Sequence, residues 1–145
     1  MSFAPRILCG LRYSKMNVKA KGTNAERELI HLFWSKGWAA LRVAGSGSSS
    51  YPSPDLLASN AARILAIECK SSGELSRHLE KAQVEDLLEF ARMFGAEPWI
   101  GARFNDMKWA FFSIDDLKKS EKGFSVSVKM VKEKGLTFEQ LLGSF

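Results

Sequence analysis

The chain reads as one α/β domain with a central mixed β-sheet flanked by helices. Three observations carry that reading. Two segments repeat apolar residues at helical period, and five short apolar or alternating runs between residues 38 and 114 lie around them, punctuated by Gly, Pro, Asn and Asp. Their order, α-β-β-β-α-β-β, indicates an α/β fold with a mixed sheet. The 145 residues suit a single domain, which at this size buries roughly 70% of its unfolded surface and needs no disulfide staples.

Each element has a local cause. Thr23-Asn24-Ala25-Glu26 has capping-box spacing ahead of Ala25, Leu29, Ile30 and Phe33 on one face, with Leu32 beside it. Gly37 follows as a helix terminator, so the first helix is placed at 24–36. WAALRVA, 38–44, reads as a strand, and GSGSSSYPSP, 45–54, as a polar, Pro-bounded loop. DLLA, 55–58, and RILAIECK, 63–70, read as strands joined by a turn around Ser59-Asn60. A long helix over about 76–94 is predicted from Leu79, Ala82, Leu87, Leu88, Ala91 and Phe94, ending at Gly95. PWIGARF, 98–104, and KWAFFSI, 108–114, are two more strands around Asn105-Asp106, with a helical turn from Asp115. FSVSVKM, 124–130, alternates strictly and predicts a strand with Phe124, Val126, Val128 and Met130 on one face. Thr137 and Gln140 form a capping box, with Leu136 and Leu141 at staple positions, for a last helix at 138–143.

Charge and cysteine usage narrow the function classes. Lys and Arg number 21 against 16 Asp and Glu, and Arg6, Arg12, Lys15, Lys19 and Lys21 account for the whole excess of +5. No acid lies among residues 1–22. Such an arm binds nucleic acid through counterion release, or is a solvated terminus. Residues 1–18 are expected to be a flexible basic extension and 19–145 one domain, with Met16 an alternative start. Cys9 and Cys69 fit neither a metal-ligand spacing nor a secreted disulfide framework, which favours a reducing cytoplasm. No run reaches membrane-spanning length. His31 and His78 have no ligand spacing and are expected to be surface or structural.

The chemistry concentrates in residues 52–72. Alternation puts Glu68 and Lys70 on one face of a strand, about 6.8 Å apart. A tight turn at 59–62 folds Asp55 back beside them. Two close carboxylates repel each other unless a cation or proton intervenes. A few hard oxygen ligands with room for water and phosphate describe a Mg²⁺ site. Lys70 beside it can orient or deprotonate a water, or balance charge on a phosphate, and phosphodiester hydrolysis needs these parts. Taken singly, Glu68 and Lys70 also suit a solvated ion pair at a sheet edge, and Asp55 a turn residue after Pro54. Glu26 shares the face of Leu29, Ile30 and Phe33 and points inward, or else serves the capping box. Arg42 is placed to meet a phosphate or to snorkel. The 45–50 loop, with Ser46 and Ser48, offers N–H and hydroxyl groups to phosphate but lacks the G-K-[ST] of a Walker loop. Phe90 and Phe94, an i,i+4 pair, form a candidate dimer stripe.

KGTNAERELI, RVAGSGSS, PSPDLLA, AIECK and LLEFARMFG, in this order, resemble the archaeal Holliday junction resolvases of Hjc/Hje type, in the PD-(D/E)xK nuclease superfamily. The likeness runs from about Lys19 to Leu142. It implies a restriction-endonuclease-like core and a homodimer that cuts four-way DNA junctions at two symmetric points with Mg²⁺, Mn²⁺ substituting. It also implies archaeal origin and a cytoplasmic, nucleoid-associated place. By resemblance Glu26, Asp55 and Glu68 are metal-binding acids, Lys70 the catalytic lysine, and Ser46 a loop serine near the scissile phosphate. Lys19, Lys21, Arg27, Arg42, Ser48 and Gln83 are expected on the DNA side, and Phe90 and Phe94 at the dimer helix. Ala110 stands where the family often has Arg, so a DNA-surface contact is expected to be missing. The C-terminus shows no convincing motif for other recombination or replication proteins. A nuclease of the same core acting on another DNA substrate, and a non-catalytic DNA-binding dimer, are the alternatives. The absence of a separate base-reading module favours recognition of shape.

Overall fold

A computed structural model describes residues 18–44 and 50–143, with side chains from residue 23 onward. The basic arm before residue 18, the alternative start at Met16, and loop residues Ser46 and Ser48 lie outside the described residues. Lys19 and Lys21 fall on the first turns of α1 (Val18–Ser35), where only the backbone is described. Among the described residues no helix is long and apolar enough to cross a membrane.

The main sheet contains β1 (Ala39–Arg42), β2 (Leu56–Ser59), β3 (Ile64–Ser72), β5 (Glu97–Phe104) and β6 (Ala110–Phe112), in the order β1-β2-β3-β5-β6. The β3–β5 pair is parallel and the others antiparallel, so the sheet is mixed. The parallel pair requires a crossover, which β4 (Ser76–Leu79) and α2 (Lys81–Phe94) supply. A second sheet, ordered β4-β8-β7, is completed by β7 (Lys118–Ser120) and β8 (Gly123–Ser127). Helices α3 (Val128–Glu133) and α4 (Phe138–Leu141) close the chain.

The alternation of β3 builds two cores. Leu65 and Ile67 face α1 and α4, packing with Leu29, Phe33, Trp38, Phe111, Phe138 and Leu141. Ala66 faces α2 and the small sheet, among Leu79, Val84, Leu87, Ala91 and Val126. The ends of both long helices follow the expected chemistry. Gly37 and Gly95 take φ of 80° and 75°, a region that costs other residues strain, and the Gly95 N–H bonds the Ala91 carbonyl.

Three expected elements change in start or type. The first helix starts at Val18 and not at 24, because Val18 to Lys21 is rich in helix formers; Thr23 and Glu26 are therefore interior and cannot cap it. The segment 76–94 is a strand followed by a helix. Leu79 is buried in β4 opposite Phe124, and Glu80 with Gln83 forms the capping box that starts α2. Ala82 is accordingly exposed and Val84 takes the core position. The alternating run 124–130 is strand only to Ser127. The Ser127 hydroxyl accepts the Met130 N–H at 3.3 Å and turns the chain into α3, whose Val128, Met130 and Val131 reach the same core. Ala110 is 3% exposed within the α2-side core, so in this chain the position is not a surface one. The strand at 118–120 went unforeseen because its three residues are polar and exposed, with no alternation to find. The expected strands 38–44 and 108–114 are trimmed to 39–42 and 110–112, and the expected helical turn is a single 3₁₀ turn at 114–116.

Arg63 fastens the end of the sheet remote from Lys70. It makes a bidentate pair with Glu97, both bonds at 2.8 Å, donates to the Leu141 carbonyl at 2.8 Å, and lies 5.7 Å from the Trp38 ring centroid. The Arg63 hydrogen bonds hold the Glu97 carboxyl below its usual range. That stabilisation is present at neutral pH and is lost as the pH falls through the lowered pKa. Because the pair is partly exposed, Arg63→Ala is expected to lower stability by about 1–2 kcal/mol in urea unfolding. It is also expected to reduce the loss of stability at acid pH relative to the unaltered chain.

Candidate active site

The hairpin of β2 and β3 makes the site. Asn60 nucleates its turn: its Oδ1 accepts the Ala62 and Arg63 N–H groups at 2.9 and 2.7 Å. Ala61 takes φ 78°, and its N–H donates to the Ser59 hydroxyl. The resulting register pairs Leu56 with Ile67, so Asp55 meets the end of the strand that carries Glu68 and Lys70. Two main-chain contacts then fix Asp55. The Cys69 N–H donates to Asp55 Oδ2 at 2.9 Å, and the Val43 N–H donates to the Asp55 carbonyl at 2.9 Å.

Glu68 and Lys70 sit on the central strand of the five-stranded sheet, with side chains only 13% and 11% exposed and Nζ 3.5 Å from Oε1. The solvated edge pair that the sequence left open is thereby excluded. Burial first, and then the negative charge of Asp55, raise the Glu68 carboxyl to about 8, with Lys70 opposing. Glu26 is raised as well, first by burial, with its Arg42 hydrogen bond opposing and Asp55 adding to the rise. Burial, reinforced by the surrounding carboxylates, pushes the Cys69 thiol well up, which keeps it an unreactive thiol at neutral pH.

The acids predicted from sequence are thus brought into one electrostatic group, in unequal roles. Asp55 and Glu68 face each other directly. Glu26 is held in an ion pair with Arg42 at 2.7 Å. Among the described residues, no three His, Cys, Asp or Glu side chains converge as a metal cage. Arg42 ends β1 opposite Leu56, at the Asp55 end of the sheet. Arg27 is exposed on α1 next to Glu26. Gln83 is exposed, and its side chain is engaged by the Glu80 N–H at 3.2 Å as the cap of α2. His31 and His78 are exposed, as expected. Phe90 and Phe94 stack with centroids 5.0 Å apart, and Phe94 is half exposed.

One participant in the site and one neighbouring ion pair were not foreseen from the sequence. The Cys69 amide that clamps Asp55 is a backbone donor, invisible in side-chain identities. Arg103 lies across from Ser71 and pairs with Glu28 of α1 at 3.6 Å. Alternation of Trp99, Gly101 and Arg103 along 98–104 was the signal that could have found it.

The mixed sheet, with an acid entering β2 and E-x-K closing β3, defines a nuclease core of the PD-(D/E)xK type. The chain belongs to the archaeal Holliday junction resolvase (Hjc) family, whose family model matches residues 17–145. It is 42% identical over 128 residues to the crossover junction endodeoxyribonuclease Hjc of Archaeoglobus fulgidus, covering 88% of this chain and 93% of that one. It is 39% identical over 103 residues to the crossover junction endodeoxyribonuclease Hje of Sulfolobus acidocaldarius, covering 69% and 74%. The solved structure of the Archaeoglobus fulgidus Hjc superposes with a TM-score of 0.78 at 40% identity, over 83% of this chain and 97% of that one. A bacterial homing endonuclease shares the fold at 19% identity, with a TM-score of 0.50 over 77% and 75% of the two chains.

The raised Glu68 pKa has a sign that can be checked. Its folded value lies above its unfolded value, so the protonated form favours folding and stability declines as pH rises toward about 8. In metal-free buffer Glu68→Gln is expected to flatten this decline. Carboxyl NMR should show Asp55→Asn lowering the Glu68 pKa while leaving it above the ordinary range, because burial is the larger cause.

Proposed function

We propose that this protein is a structure-selective endonuclease that resolves four-way DNA junctions by paired, symmetric, metal-dependent cleavage of phosphodiester bonds. The buried Asp55–Glu68–Lys70 group carries the reading. A binding protein gains nothing from two acids held against each other at a strand end, whereas a nuclease uses them. Membership in the resolvase family supports the choice of branched DNA as substrate.

The donor set fits Mg²⁺, with Mn²⁺ able to substitute. This cation is usually held by one or two carboxylates, with water and substrate phosphate completing its shell, so a three-residue cage is not required. Asp55 and Glu68 would be its primary holders, with Glu26, held by Arg42, as a third acid beside them. When bound, the metal supplies Lewis acidity toward the phosphate and makes a water more acidic. The protein's own groups do the rest. The Cys69 amide holds Asp55 in place. Lys70 as an ammonium would balance the charge gained by the phosphate, or as a neutral amine would take the proton of the attacking water. Arg27, Arg42 and the segment holding Lys19 and Lys21 favour phosphate approach, and the loop with Ser46 and Ser48 offers further donors.

A four-way junction has two-fold symmetry, and a C2 dimer presents two sites to match. Phe90 and Phe94, with the exposed Met93, form an apolar patch on α2 suited to that dimer. The place of action is then the cytoplasm, at the nucleoid.

With Mg²⁺, the protein is expected to nick a synthetic four-way junction at least tenfold faster than a linear duplex of the same sequence. Equal rates would overturn the resolvase reading and keep the nuclease one. Asp55→Asn should abolish cutting while gel shifts show junction binding within a few-fold of the parent. Phe90→Ala with Phe94→Ala should shift the protein toward monomer in sedimentation and uncouple the two cuts.

A further inference from the structure

The small sheet carries a surface that the active site does not use. Its register pairs Ser76 with Ser127, and Ser125 with both His78 and Lys118. Directly opposed residues share a face. Leu79 and Val126 point the other way and are fully buried. The outward face therefore presents Ser76, Ser120, Ser125, Ser127, His78 and Lys118. It holds neither a carboxylate nor an apolar side chain, although surfaces in water ordinarily mix both signs of charge. Acids lie only at its rim: Glu80 is 3.6 Å from His78, and Glu121 sits beside Lys122 in the β7–β8 turn.

We propose that this face binds the sugar–phosphate backbone of a duplex arm leaving the active site. The inference rests on the nuclease reading above. Hydroxyl groups and cations are the side-chain donors that phosphate oxygens accept from. Strands lie about 4.8 Å apart, so His78 and Lys118 flank Ser125 at roughly 10 Å across the ladder. Short serines between them let a backbone approach closely. The Ser127 oxygen already accepts the Met130 N–H, which leaves its hydroxyl proton to donate outward. The face also continues from the reaction centre. Ser76 follows Lys70 by about six residues, a reach of at most about 20 Å, which is roughly six base pairs of duplex. Each protomer of a dimer would steady one arm, adding affinity without touching the cleaved bond.

The test uses the full chain in metal-free buffer, with fluorescence anisotropy on a four-way junction whose arms are about 20 base pairs, across a salt series. Lys118→Ala is expected to flatten the plot of log affinity against log salt by about 0.9 for each phosphate that is no longer neutralised. Ser125→Asp should weaken binding about tenfold, and Ser125→Thr, which keeps the hydroxyl, should not. Cutting at saturating protein with Mg²⁺ should be unchanged in all three. Unaltered affinity and salt slope in Lys118→Ala and Ser125→Asp, with normal cutting, would overturn the inference alone. So would a loss of binding that tracks loss of the dimer in sedimentation, which would make the face an interface between copies. An unaltered chain with no junction affinity would overturn the parent reading together with it.

Discussion

Two carboxylates are forced together at the end of the β2–β3 pair, and much of the structure serves that constraint. Water and charge repulsion would drive Asp55 and Glu68 apart. They stay because neither can leave: Glu68 is on a central strand, and Asp55 is clamped by the Cys69 and Val43 amides. The free energy stored in that opposition comes from the hairpin and the two cores beneath it. Leu65 and Ile67 are fully buried on one side and Ala66 on the other, so β3 cannot shift register without exposing them. The site is thus poised for a cation or proton by the same burial that stabilises the fold.

The two ends of β3 are divided in labour. At its start, Arg63 ties the sheet to Glu97 and to the last turn of α4 through hydrogen bonds that are fully formed. At its finish, the charges are crowded and incompletely compensated, with Lys70 facing Glu68 at 3.5 Å and Arg42 drawn to Glu26. Rigidity at one end supports tension at the other. The α2 layer adds a different property. Its inner residues Val84, Leu87 and Ala91 seal the core, while Phe90 and Phe94 stack at its flank with Phe94 half exposed, so one helix carries both the packing and the surface proposed for a second copy.

Much of this was legible from local pattern. The hairpin, the faces of β3, the Thr137–Gln140 cap and the glycines ending both long helices each depend on neighbours within a few residues. The misread segments depended on partners far along the chain. Ser76 to Leu79 became a strand because β8, some fifty residues later, pairs with it. Residues 124–130 satisfy strand alternation and also the spacing that α3 uses, and the Ser127 cap decided between them. Thr23 and Glu26 had the spacing of a cap, but helix-favouring residues before them carried the helix past that point.

The sequence by itself determined the class of the domain, the candidate acids and lysine, and, through the ordered resemblance of several segments, the family. Those depend on residue identity and short-range spacing, which the chain states directly. Only the tertiary structure decided that Glu68 and Lys70 are buried and not a solvated pair, that Glu26 is partnered by Arg42, and that Asp55 is held by a backbone amide. It also decided that the small sheet turns a serine and lysine face to water. Burial, charge coupling and strand partnership are sums over atoms distant in sequence, and they take a value only when the chain has closed on itself.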